Sequence, residues 1–159
     1  IEDAAALTRI YNQGIEERIA TFETEPRTEE QVAGLLREKG DHHPAVVAVR
    51  DGAVIAFAWA SSYRGRPCYA GVAEHSVYVD RNARGVGAGL VALNALSDAF
   101  AERGYWKLLS RIFPENAASI KLHERAGFRV VGTYIRHGKL DGEWRDTVIV
   151  EKLLGEAAE

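Results

Sequence analysis

Arg84-Gly85-Val86-Gly87-Ala88-Gly89 stands between two unlike segments, and its reading decides the fold. Before it, Glu74-His75-Ser76-Val77-Tyr78-Val79 is short and rich in β-forming residues. After it, Leu90 to Arg103 carries Leu90, Leu93, Leu96 and Phe100 at roughly helical spacing. A strand therefore enters a helix through three glycines, which let the backbone turn sharply and let a ligand approach with no Cβ in the way. The first N–H groups of that helix have no intrahelical partner, and the helix dipole adds partial positive charge beside them. The turn is thus an anion site, and phosphate is the anion that fits. A tight turn with no ligand is the other reading of this loop taken alone.

Residues absent from the loop narrow the ligand. No Gly-Lys-Ser/Thr follows, so the lysine and the Mg²⁺-binding hydroxyl of a P-loop are missing. Gly85, Gly87 and Gly89 match only the first half of the dinucleotide pattern G-x-G-x-x-G. What remains is R-x-x-G-x-G after Val-Tyr-Val. A second block, Asn116-Ala117-Ala118-Ser119-Ile120-Lys121-Leu122-His123-Glu124-Arg125-Ala126-Gly127-Phe128, reads as a helix. Asn116 either caps it or offers an amide to a ligand, Ser119 begins it and Gly127 ends it.

The two blocks resemble the pyrophosphate loop and the N-x-x-S/A-x-x-L-[YH]-E-x-x-G-[FY] segment of the GNAT superfamily of acetyl-CoA-dependent N-acetyltransferases. Ile10-Tyr11-Asn12, Phe22-Glu23-Thr24-Glu25-Pro26, Glu74 to Val79 and Gly142-Glu143-Trp144-Arg145-Asp146 are similar to segments of its phosphinothricin acetyltransferase branch, so the resemblance covers nearly the whole chain. It implies an α/β GNAT fold: a mixed twisted sheet, flanked by helices, whose two parallel central strands splay apart to admit the pantetheine arm of acetyl-CoA. By the same resemblance the strand Val77, Tyr78 and Val79 faces that arm through its backbone. Arg84, Gly85, Val86, Gly87, Ala88, Gly89 and Leu90 hold the pyrophosphate, while Asn116 and Ser119 reach the arm from the second block. Glu74 matches the family's proposed general base, although a strand carboxylate paired with a cation is the plainer reading. His123 stands where many relatives carry a tyrosine that protonates the departing thiolate; a solvated or capping histidine is the alternative. A small-molecule amine is the implied acceptor, and a homodimer the implied assembly. A non-catalytic acyl-CoA-binding module is the competing class.

The chain departs from its branch just before Glu74. Relatives carry Arg and Thr there in a Tyr-Arg-x-Thr-x-Glu pattern, suited to an anionic head group by charge-assisted hydrogen bonds. This chain reads Tyr69-Ala70-Gly71-Val72-Ala73-Glu74. Ala70 and Val72 offer neither charge nor donor, so a less anionic amine is expected, with Val72, Phe22 and Thr24 lining the acceptor pocket. Phe22 and Thr24 could equally anchor their loop, and Arg64 or Arg66 could swing in to restore anion binding. Lys139, Trp144 and Asp146 also fit a family pattern near the C-terminus.

Composition bounds the rest. At 159 residues and 47% hydrophobic, residues 1–159 suit a single domain. The net charge of −3 and the lack of a basic run give no sign of nucleic acid or an anionic membrane as partner. A single cysteine, Cys68, excludes an internal disulfide, fits a reducing compartment and has no base beside it. His42-His43 lacks further ligands at metal-binding spacing, so no metal is expected. With no long apolar run and no leader, a cytoplasmic protein is expected. Because GNAT domains begin with a strand ahead of their first helix, the resemblance implies such a strand before Ile1.

The remaining elements follow from pattern. Asp3 to Arg18 reads as a helix with Leu7, Ile10, Tyr11, Ile15 and Ile19 on one side, and Thr28 with Gln31 as the capping box of a second helix ending near Lys39. Ala45 to Arg50 and Val54 to Ser61 read as strands turning at Asp51-Gly52. The expected continuation is a strand at 72–80, a helix to Arg103, a strand at 107–113, a helix at 119–126, and strands at 129–137 and 144–153. The crossover through a helix makes 72–80 and 107–113 parallel.

Overall fold

A computed structural model describes residues 2–159. The strand implied ahead of the first helix lies outside them. Helix α1 (Ala4–Glu17) buries Leu7, Ile10, Tyr11 and Ile15. It ends one residue earlier than the pattern suggests because Arg18 turns left-handed at φ 57°, which leaves Ile19 off the helix. Helix α2 (Glu29–Lys39) opens on the expected capping box: the Gln31 N–H donates to Thr28 Oγ1 at 3.1 Å and the Thr28 N–H to Gln31 Oε1 at 2.9 Å.

Strands β1 (Val46–Arg50) and β2 (Ala53–Ser62) meet at Asp51-Gly52, where φ values of 51° and 78° make the primed turn that suits a two-residue hairpin. Then follow β3 (Val72–Val79), α3 (Ala88–Glu102), β4 (Lys107–Ile112), α4 (Ala117–Arg125), β5 (Arg129–Leu140) and β6 (Glu143–Leu153). Both later helices begin two residues before their apolar periodicity. Strand β5 runs three residues past the expected end, because Asp141-Gly142 at φ 51° and 81° closes a second tight hairpin and the ladder absorbs an irregularity around Arg136.

The six strands form one sheet in the order β1-β2-β3-β4-β6-β5, and β3–β4 is its parallel pair. Each face carries a core. Leu93, Leu96 and Phe100 of α3 pack with Ala73, Leu108, Val150 and Phe128 on one side. Leu7, Ile10 and Ile15 of α1 pack with Val32, Phe57, Trp59 and Tyr78 on the other. Burying each large side chain contributes about 1.5–3 kcal/mol. The alternation along β3 follows: Ala73, Val77 and Val79 face α3, while Tyr78 faces α1.

The parallel pairing is brief. Val72 pairs with Lys107, Ala73 with Leu108 and Glu74 with Leu109, and there the ladder stops. Beyond that point His75 to Val79 pair with β2, and Ser110 to Ile112 pair with β6. The two strands diverge as a V, bridged at its apex by the Ser110 hydroxyl, which donates to the His75 carbonyl at 2.9 Å. No helix among the described residues is long and apolar enough to cross a membrane.

Candidate active site

At one end of the V, β3 gives way to the glycine turn. Gly85 and Gly87 sit at φ +84° and +82°, a region that L side chains rarely adopt. Among the described residues nothing lies within 4 Å of where a Cβ would stand on either, and Gly87 caps α3 with no side-chain hydrogen bond. The N-terminal N–H groups of α3 are therefore open to an anion. Gly89 serves another purpose: a Cβ there would meet Leu122 at 3.0 Å and Val79 at 3.1 Å, so it lets α3 approach β3 and α4 closely. Asp80 braces the turn, accepting from the Asn82 N–H at 3.0 Å and Arg9 Nη1 at 2.5 Å, contacts that hold its carboxyl below the usual range. Arg84 is turned to Glu17 at 2.6 Å, and Val86 is half exposed.

Inside the V runs a narrow cleft of about 40 Å³, lined by Val77, Tyr78, Ser110, Asn116, Ser119 and His123 among others. Tyr78 reaches it only in part. Its ring stacks on Phe57 at 5.3 Å and meets Tyr11 at 5.1 Å, and burial pushes its hydroxyl up to about 12. Any contact it makes with a ligand falls to its backbone. Asn116 takes the capping role: its Oδ1 accepts from the Ser119 N–H at 3.3 Å while its amide donates to the Ile19 carbonyl at 3.4 Å. Larger surface hollows, one of about 400 Å³ beside Tyr105 and Trp106, open elsewhere on the molecule.

On the α3–α4 side of the sheet His75 and His123 form a buried pair. Their Nε2 atoms are 2.9 Å apart, and both rings pack on Phe128. His123 Nδ1 donates to the Ser119 carbonyl at 2.7 Å, so its Nε2 is the acceptor and His75 Nε2–H the donor. His75 Nδ1 is buried with no hydrogen-bond partner among the described residues, while the Leu109 backbone nearby favours the charged ring. Burial, and then the neighbouring His123, pushes His75 well below its ordinary value; burial also lowers His123. His123 lines the cleft, and in this arrangement it is neutral near pH 7 with Nδ1 engaged by the Ser119 carbonyl and Nε2 by His75, so a role as thiolate acid would require its Nδ1 proton to leave that carbonyl.

Glu74 lies at the apex on the opposite face, half-buried. Its Oε2 accepts two bonds from Arg111 of β4, from Nη2 at 2.6 Å and Nε at 3.0 Å. Arg111 Nη1 is 3.5 Å from His137 Nε2. Glu74 and His123 make no bond to one another. Arg111, His75 and Ser110 are site residues that the sequence reading missed. Arg111 becomes legible only once the Glu74–Leu109 register is known, because residues two apart on a strand share a face.

The loop after α1 is held by a set of side-chain bonds. Tyr11 donates to Glu23, which Arg27 also holds, and Asn12 clamps Arg27 by bonds of 2.8 and 2.9 Å. These bonds tie the Tyr11-Asn12 segment of α1 to the loop that carries Glu23 and Arg27. Phe22 sets its ring edge-on to Phe113 at 4.8 Å, close over Gly138. Thr24 is exposed. Val72 is buried on the Glu74 side of β3, which leaves it little surface for a ligand. Arg64 lies over the Tyr63 ring at 4.8 Å. Lys139 lies over Trp144 at 4.5 Å, and Asp146 accepts from the Arg136 N–H at 2.7 Å, so that pattern braces the β5–β6 hairpin.

A V between parallel strands, opening onto an uncapped glycine turn, defines a protein that seats an extended phosphate-bearing ligand between strands. Comparisons with known proteins make the class specific. The model of the acetyltransferase (GNAT) family matches residues 7–128, and the chain belongs to that family. It is 36% identical to a phosphinothricin N-acetyltransferase of Streptomyces coelicolor over 96% of this chain and 92% of that one. Among solved structures, a ribosomal-protein-alanine N-acetyltransferase from Brucella melitensis superposes with a TM-score of 0.91 at 34% identity, covering 96% of this chain and 95% of the other. A phosphinothricin acetyltransferase from Sinorhizobium meliloti in complex with acetyl-CoA gives 0.89 at 33% identity, covering 98% and 85%.

Proposed function

We propose that this chain is an acetyl-CoA-dependent N-acetyltransferase acting on the primary amine of an amino-acid-like small molecule. The observation that carries this reading is the V between β3 and β4, with Glu74 at its apex and the uncapped α3 turn at its open end. The residues present fit acetyl-CoA. The α3 N–H groups and the clear space above Gly85 and Gly87 suit a pyrophosphate, and the unpaired edges of β3 and β4 suit an extended amide-bearing arm. When bound, acetyl-CoA supplies a thioester carbonyl.

The protein's own groups then supply base and electrostatics. Glu74 Oε1, which accepts no hydrogen bond among the described residues, takes one proton from the substrate ammonium, and a second goes to the departing sulfur. The freed nitrogen pair forms the N–C bond as the C–S bond breaks with its electrons on sulfur. The β3 backbone at Val77, unpaired on the β4 side, is placed to donate to the oxygen that gains charge. His75 and His123 hold α4 against β3 and shape the cleft.

Similarity to a ribosomal-protein-alanine N-acetyltransferase keeps a peptide N-terminus as the second reading. The test is thiol release from acetyl-CoA with amines added one at a time: free amino acids, polyamines, alanine-initiated peptides. Amine-dependent release by the amino-acid set supports the proposal; release with peptides alone selects the second reading. Cofactor binding without any release would make the chain a non-catalytic acyl-CoA module.

The same proposal extends to assembly and place. Val131, Tyr134, Ile135 and Trp144 are exposed apolar side chains on the β5–β6 hairpin, material for contact with a second copy of the chain, and a lone free cysteine suits a reducing cytoplasm.

A further inference from the structure

We propose that Arg111 is the specificity residue of this site, holding the base with one edge of its guanidinium and the substrate's carboxylate with the other. The proposal rests on the acetyl-transfer reading and names the group that selects its substrate. The branch pattern places its anion-binding side chains before the glutamate, and here those positions are Ala70 and Val72. The structure supplies a cation from a different strand. Leu109 pairs with Glu74, so Arg111, two residues on, projects on the same face just as β4 leaves β3.

A guanidinium has five donors arranged on two usable edges. The Nε and Nη2 edge is spent on Glu74 Oε2, at 3.0 and 2.6 Å. Among the described residues the Nη1 side has only His137 Nε2 nearby at 3.5 Å, and the Arg111 side chain is 45% exposed. That free edge matches a carboxylate bidentately. In an α-amino acid the amine is one carbon from the carboxylate, so a carboxylate seated on this edge brings the amine to the Glu74 side of the same guanidinium. The acid is recognised and the base positioned by one residue. The expectation of a weakly anionic acceptor, drawn from Ala70 and Val72, left this cation out.

Three proteins decide it: wild type, Arg111→Gln and Arg111→Lys. Each is titrated with methionine sulfone and with its carboxamide in the presence of CoA, then assayed for acetyl transfer to both. Wild type is expected to bind the free acid at least tenfold more tightly than the amide. Arg111→Gln should raise KM for the acid roughly 10²-fold, the scale of a lost charge-assisted bidentate contact, while changing KM for the amide less than threefold. Arg111→Lys should restore only part of the preference, because an ammonium is a point charge without a fork. Equal binding of acid and amide by wild type overturns the proposal, as does an Arg111→Gln variant that loses both equally or neither. Arg111-dependent binding of the acid with no transfer to any amine would instead sink the acetyl-transfer reading and leave Arg111 as a carboxylate site.

Discussion

Two side-chain pairs flank the apex of the V, and they obey opposite physics. Glu74 and Arg111 are a charged pair on the α1 face, half open to solvent, with guanidinium and carboxylate valences to spare. His75 and His123 are a neutral pair on the α3 face, sealed from water and nearly saturated internally. A charged pair with spare valences can exchange partners with a substrate at little desolvation cost. A buried neutral pair resists change, because any added charge must be desolvated. Reactivity and architecture are thus divided between the two faces of one sheet at one level.

Substitutions at the two pairs should separate those roles. Glu74→Gln should lower turnover roughly 10²-fold or more, with acetyl-CoA affinity and unfolding midpoint nearly unchanged. The deficit should shrink at high pH, where the amine loses its proton unaided. Steady-state rates across pH check this, and an unchanged rate would move the base elsewhere.

At the buried pair the expected loss is in stability. His75→Leu strands the His123 Nε2 acceptor and should cost about 1–3 kcal/mol in urea unfolding, while the His75→Leu/His123→Leu double variant should lose less than the sum of the singles. The pH dependence has a definite sign. Both histidines titrate below the ordinary 6.5 in the fold and near it when unfolded, so unfolding takes up protons. Stability is full above pH 6.5 and falls below it, by up to about 1.4 kcal/mol per pH unit for each histidine. The double variant should flatten that slope. A folded His123→Leu enzyme that binds acetyl-CoA normally yet turns over 10²-fold slower would dissolve the division and return His123 to the chemistry.

A smaller effect is expected where the two faces meet the glycine turn. Gly87→Val should weaken acetyl-CoA binding at least tenfold, since its side chain would occupy the clear space in front of the α3 N–H groups. The φ of +82° adds a strain of about 1–3 kcal/mol to the fold itself, an effect that reading the loop purely as a ligand cradle overlooks. Calorimetric titration paired with urea unfolding tells the two losses apart.

The sequence determined whatever depends on near neighbours. The glycine turn, the Thr28–Gln31 capping box, the Asp51-Gly52 hairpin and the α4 cap at Asn116 are short-range bonding patterns, and each formed where its residues stand. The crossover rule made β3 and β4 parallel, and Glu74 could be singled out because it matches the family's glutamate a few residues ahead of Val77-Tyr78-Val79. Only tertiary structure decided which long-range partner each site residue meets. The histidine that resembles an acid meets a second histidine 48 positions away, and the carboxylate that resembles a base is held by an arginine 37 positions away. Neither separation follows a helix or strand period. Both contacts exist because three residue pairs of parallel ladder form and then stop, which sets β4 and α4 at a fixed angle around β3 and fixes what each side chain can touch.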